Sequence, residues 1–216
     1  MKKYIISLSL LIICIFGVIK INAKKNKSFI IYIDPGHGGR DGGAVYDGVL
    51  EKDINLKISK YLQVYLENAG FIVYLTRETD IDLSSSTTNY KKEDIRKRAK
   101  MINDSDADLY ISLHANAIGS TIWSGAQTFY NPKNEGSKLL AEYIQTSLKQ
   151  NTKTDRNAKS LTDKFILDNV IKTGVLVEVG FLSNQREREL LTSSSYQDLI
   201  AHTIYIGILE YLSDKN

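Results

Sequence analysis

The sequence predicts an α/β domain, with a mostly parallel or mixed sheet and helices on both faces, preceded by an N-terminal export or anchor helix. Three observations support this. Short apolar runs bounded by turn residues alternate with longer segments of helical periodicity. The run Val175-Leu176-Val177-Glu178-Val179 is apolar at nearly every position, as a strand covered on both faces must be. The length of 216 residues, with 43% hydrophobic and 25% charged residues, suits one globular domain and excludes a disordered or fibrous chain.

Residues 1–23 have the pattern of an export segment. Lys2 and Lys3 form a positive flank, residues 4–19 are uncharged, and Lys20 ends the run. That length falls between a signal-peptide core and a spanning helix. The segment is therefore a signal peptide, with a cut after Ala23, or a retained anchor that meets the membrane through residues 4–19. Cys14 fits as one more apolar residue of this run. The positive flank places the rest of the chain outside the cytoplasm. The formal charge of +3 is carried by Lys2, Lys3 and Lys20, so residues 24–216 are neutral overall. A neutral body is not the footprint of a nucleic-acid binder. One cysteine excludes both a disulfide scaffold and a Cys-rich metal site.

The body has no internal repeat and no long linker. Residues 29–33 form an apolar run ended by Asp34-Pro35-Gly36, predicted as a buried strand. A glycine-rich loop follows, in which six of the fourteen glycines fall between Gly36 and Gly48. Residues 51–69 place Ile54, Ile58, Tyr61, Leu62 and Tyr65 on one helical face, and Gly70 is a helix stop. Residues 71–75 are the next predicted strand, 80–90 a polar surface loop and 91–103 a charged helix. Strands are predicted at 109–113 and 126–130, a helix at 136–149 and a polar loop at 151–159. A short strand over 165–167, a strand over 175–179 and a closing helix over 196–212 complete the expectation.

His37 and His114 each follow a predicted strand, and ligands of open α/β sheets collect beyond the carboxyl ends of strands. His202 lies among apolar residues of the last helix and is expected to pack or face solvent. The spacing of Gly36, Gly38, Gly39 and Gly42 does not match the dinucleotide fingerprint, and no Gly-Lys-Ser/Thr follows to make a phosphate loop. Glu51 opens a helix just after the glycine loop. Glu178 interrupts a strand that otherwise looks buried, where a carboxylate is costly unless paired or metal-bound. Two His and one Glu are a usual ligand set for catalytic zinc, with water in the open position. A second carboxylate is then available to take that water's proton and pass it to a leaving amine. The helical His-Glu-x-x-His motif of zincin peptidases is absent.

Four segments in order carry a family resemblance: Asp34-Pro35-Gly36-His37-Gly38-Gly39, Glu51-Lys52-Asp53-Ile54-Asn55-Leu56, Ser112-Leu113-His114-Ala115-Asn116, and Val177-Glu178-Val179-Gly180-Phe181-Leu182-Ser183-Asn184. They resemble the zinc-dependent N-acetylmuramoyl-L-alanine amidases of the third amidase type. The resemblance covers residues 28–213, taken as the catalytic domain, and implies one Zn2+ held by His37, Glu51 and His114, with Glu178 catalytic. It implies structural roles for Thr76, Arg77 and Arg98. The family often has a proline where Thr173 stands. A lone catalytic domain behind an export leader is similar to the germination-specific, spore-cortex branch. That branch implies cleavage between muramic acid and L-alanine on the way to muramic-δ-lactam, in the forespore cortex space. The implied partners are the peptidoglycan glycan and its stem peptide, with any accessory protein unspecified. Two other functions share these features: a tethered peptidoglycan-binding module with a structural metal, and a zinc polysaccharide deacetylase. A binding module has no need of a fourth, non-ligand residue such as the carboxylate of Glu178.

The leader has a direct test. Protease added outside intact cells expressing the full chain is expected to degrade the body, and a body protected in the cytoplasm would refute export.

Overall fold

The computed structural model describes residues 28–215. The expected leader, with Cys14 and the cut after Ala23, lies outside the described residues. Among the described residues no helix is long and apolar enough to cross a membrane.

The described chain runs β1 (Ile30–Pro35), β2 (Val45–Tyr46), β3 (Val49–Leu50), α1 (Glu51–Asn68), β4 (Ile72–Leu75), α2 (Tyr90–Asp104) and β5 (Leu109–Asn116). It continues β6 (Gln127–Tyr130), α3 (Glu135–Thr152), β7 (Lys159–Ser160), α4 (Phe165–Asn169), β8 (Thr173–Phe181), α5 (Gln185–Thr192) and α6 (Ser194–Asp214). Six strands form one sheet in the order β4-β1-β5-β8-β6-β7. The pairs β4–β1, β1–β5 and β5–β8 are parallel, and β6 runs antiparallel to β8. The sheet is therefore mixed, with helices on both faces, as expected.

Strand alternation builds two cores. Ile31, Ile33, Leu109, Ile111, Val175 and Val177 face one side, where α1, α3 and α6 cover them with Ile54, Ile58, Leu62, Leu140, Ile144, Ile204 and Ile208. Tyr32, Tyr110 and Leu176 face the other, against Ala99 and Ile102 of α2 and Ile166 and Leu167 of α4. Near-continuous apolar runs in β1, β5 and β8 reflect this double burial.

One expected element is wrong. Residues 165–167 form not a strand but the start of α4, with Asp168 N–H donating to Lys164 O and Val170 N–H to Ile166 O. Three apolar residues are too few to express a period. Here β6 already pairs with the free edge of β8, so the segment coils and lays Ile166 and Leu167 on α2. The two-residue β7, a hairpin and a helix were also not anticipated, although the sequence signals the last two. The hairpin β2–β3 turns on Asp47-Gly48, with φ values of 51° and 75°, as a two-residue Asp-Gly turn requires. Helix α5 starts at Asn184, whose side chain accepts from Glu187 N–H at 3.1 Å, the usual N-cap contact.

A buried ionic cluster closes the end of β1. Asp34, 2% exposed, accepts from Thr76 Oγ1 at 2.6 Å, Ser112 Oγ at 2.7 Å and Arg98 Nη1 at 3.0 Å. Arg98, also 2% exposed, donates through Nε to Asp94 at 2.6 Å. Burial works to raise the Asp34 pKa, but Arg98 and the two hydroxyls prevail and hold it below its ordinary value. Removing one member of a buried ion pair strands its partner, at a cost of about 3–5 kcal/mol. Arg98→Met is therefore expected to lower unfolding stability by about that amount in a urea titration. A loss under about 1 kcal/mol, the size of an exposed pair, would refute the role of this cluster.

Candidate active site

The glycine loop leaves β1 and folds over the carboxyl end of β5, where Gly36 N–H donates to Leu113 O at 2.9 Å. His37 then takes a left-handed backbone, with φ of 62°. Such a conformation costs a non-glycine residue about 1–3 kcal/mol and persists only where its surroundings enforce it. The enforcement is visible. Arg98 Nη1 donates to Pro35 O at 2.7 Å and Arg98 Nη2 to His37 O at 2.6 Å. Arg77 donates to Pro35 O at 3.0 Å, Gly36 O at 3.1 Å and Lys52 O at 2.8 Å. Burial, with the like charge of Arg98, brings the Arg77 pKa down to about 10. Thr76, Arg77 and Arg98 thus have the structural roles expected of them.

The His37 ring is oriented by Asp41, whose Oδ2 lies 2.7 Å from Nδ1. That leaves Nε2 aimed at Glu51, 3.3 Å from its Oε2. Lys91 Nζ lies 2.8 Å from the other Asp41 oxygen. Burial works to lower the His37 pKa, but the carboxylates of Asp41 and Glu51 prevail and raise it to about 9. Burial opposes the charged form of Asp41 too, yet His37 and Lys91 hold its carboxyl below the usual range. The sequence reading did not single out Asp41; the available signal was an acid four residues after the loop histidine.

Glu51 opens α1 and is 5% exposed. Its carboxylate accepts from Ala44 N–H at 2.8 Å, Ala115 N–H at 3.1 Å and Asn55 Nδ2 at 3.3 Å. His114 Nδ1 is 2.9 Å away. Burial pushes its pKa up, but His114 and His37 overcome that and hold it far below the usual carboxylate range. The ligand atoms of His37, Glu51 and His114 lie within 4.8 Å of one another. Two glycines make room for them: a Cβ on Gly36 would fall on the His114 imidazole, and one on Gly43 would meet Glu51 Oε2 and the His37 ring.

Glu178 is the register partner of His114 across β5 and β8, so the two side chains share a face of the sheet. Its Oε2 is shielded from solvent and has no hydrogen-bond partner among the described residues. Burial raises its pKa, opposed by the charge of His114 and reinforced by that of Glu51. All four predicted residues line one cavity of about 300 Å³ with Asn116, Phe165, Ile166 and Leu176. His202 is not among them; it sits on the surface of α6, with its ring 5.1 Å from that of Tyr65.

The donor set fits a divalent cation. Two imidazole nitrogens and a carboxylate converge, and a carboxylate orients one histidine from behind, as is usual at metal sites.

Residues 31–210 match the family model described as N-acetylmuramoyl-L-alanine amidase. The chain is 49% identical over 191 residues to the germination-specific N-acetylmuramoyl-L-alanine amidase of Bacillus subtilis, covering 86% of this chain and 81% of that one. It is 34% identical over 184 residues to the N-acetylmuramoyl-L-alanine amidase LytC of the same organism, of which it spans 35%. Among solved structures it resembles the CwlD amidase of Clostridioides difficile in complex with the GerS lipoprotein, with a TM-score of 0.84 and 39% identity, covering 87% of this chain and 100% of that one.

Asp41→Asn keeps the shape of the side chain but removes the charge behind His37. If the converging donors hold a divalent cation, the change is expected to weaken its binding, measured by calorimetry with Zn2+, by about 10–100-fold with an unchanged circular dichroism spectrum. Unchanged affinity would show that Asp41 does not orient a ligand.

Proposed function

Because the chain belongs to the N-acetylmuramoyl-L-alanine amidase family and is a peptidoglycan amidase, we propose that it works with one Zn2+ held by His37, Glu51 and His114 and with Glu178 as the proton shuttle. Membership of an amidase family disfavours the binding-module and deacetylase readings. The observation that carries the proposal is the pairing of His114 with Glu178 across β5 and β8, which brings an unpartnered carboxylate to the same cavity as the three converging donors.

His37 would ligate through Nε2, since Nδ1 is held by Asp41, and His114 through Nδ1, which faces Glu51. Bound there, zinc supplies Lewis-acid polarisation of the scissile carbonyl and a water with a pKa near 7. Glu178 accepts the proton of the attacking water and passes it to the departing amine of L-alanine. A raised carboxyl pKa suits both halves of that task, because the group must take a proton and then give it up. The hydrogen bonds on Glu51 keep it anionic and leave it unsuited to the same role.

The proposal extends to setting. Residues 1–23 act as a signal peptide or membrane anchor, and residues 28–213 as the catalytic domain outside the cytoplasm. The germination-specific name of a relative 49% identical supports action on spore-cortex peptidoglycan, where removal of the stem peptide precedes muramic-δ-lactam formation. The complex of CwlD with GerS supports a lipoprotein as the class of accessory partner.

Glu178→Gln conserves size and removes the basic oxygen. Zinc per protein is expected to stay near one while release of peptide from muramoyl-peptide falls by about 10²–10⁴-fold. In the double variant His37→Ala, His114→Ala both quantities are expected to fall. Near-normal turnover of Glu178→Gln would remove it from the mechanism, and full zinc occupancy in the double variant would refute the ligand assignment.

A further inference from the structure

Lys164 is the one lysine or arginine among the residues that line the cavity. The cavity's other charged or ionisable members are Glu51, Glu178 and the two imidazoles, and the remaining wall is mostly apolar. Lys164 stands just before α4, where its backbone carbonyl accepts from Asp168 N–H at 3.0 Å. The neighbouring Ile166 and Leu167 are buried against α2, which fixes the root of the side chain. The ammonium itself is exposed and makes no hydrogen bond or ion pair among the described residues. It lines the same cavity as Glu178. A cation held at the rim of a catalytic cavity without a protein partner is free to meet a ligand.

The chemistry of the substrate indicates which one. A stem peptide in which L-alanine is followed by an acidic residue carries a carboxylate close to the scissile amide. The apolar wall suits the alanine methyl group. No other lysine or arginine lines the cavity to meet a carboxylate. Building on the zinc-amidase reading of this cavity, we propose that Lys164 binds the carboxylate of the stem residue after L-alanine, and so sets a preference for acidic over amidated stem peptides. Lys164 is then a specificity residue that touches substrate and takes no part in bond breaking.

The test compares two muramoyl-peptides that differ only in whether this carboxylate is free or amidated, using the full chain loaded with zinc. The wild type is expected to favour the free acid about fivefold in kcat/KM, through KM, the most that an exposed ion pair supplies. Lys164→Gln is expected to abolish the preference by raising KM for the free acid alone. Lys164→Arg is expected to retain it. A preference that persists in Lys164→Gln, or an equal loss on both substrates, overturns the proposal; the equal loss would instead show that Lys164 acts through Glu178 or on the fold. If the wild type hydrolyses neither substrate, the amidase reading itself fails and this proposal with it.

Discussion

The Arg98 guanidinium is the constraint on which the site depends. Set at the end of β1, it answers Asp34 and Asp94 with its charge and spends its other donors on the carbonyls of Pro35 and His37. Arg77 grips the same turn from another direction. Two buried cations and two buried carboxylates balance, so the cluster is neutral as a whole. Without it the left-handed backbone at His37, uncommon for any residue but glycine, would lose the contacts that hold it. The chain thus holds a strained residue in place with a network that lies wholly behind the catalytic surface.

From that fixed point the environment sorts two glutamates into different states. Glu51 is surrounded by N–H groups and imidazoles, so its anionic form is stabilised despite burial. Glu178 is shielded from water with an unpartnered oxygen and with Glu51 as a like charge, so its neutral form gains. Carboxyls driven apart in this way are suited to different tasks, and the role proposed for each follows that direction. The division comes from which neighbours each carboxyl meets, because the side chains are chemically the same.

The α/β class and most elements are legible in the chain itself, and so are the four candidate residues that the structure brings to one cavity. His37 and His114 stand just past apolar runs, Glu178 breaks a run that should be uniformly apolar, and glycines crowd the one loop where imidazoles need space. Boundaries were less legible: β5 runs on through His114 to Asn116, beyond the apolar stretch, because pairing with β8 carries it. Residues 165–167 were misassigned for a related reason, since a short apolar run is equally at home in a strand or a helical turn until its neighbours are known.

What the sequence by itself determined was the inventory: which residues are buried, which bear chemistry, and in what order they follow the strands. Periodicity and residue type are local properties, so they survive without coordinates. What only the tertiary structure decided was partnership. That Asp41 lies behind His37, that Arg98 reaches the His37 carbonyl, that His114 and Glu178 share a register and that Lys164 reaches the cavity all depend on segments brought together by folding. Register and packing between distant segments are set by the sum of contacts across the sheet, and no local stretch of sequence carries that sum.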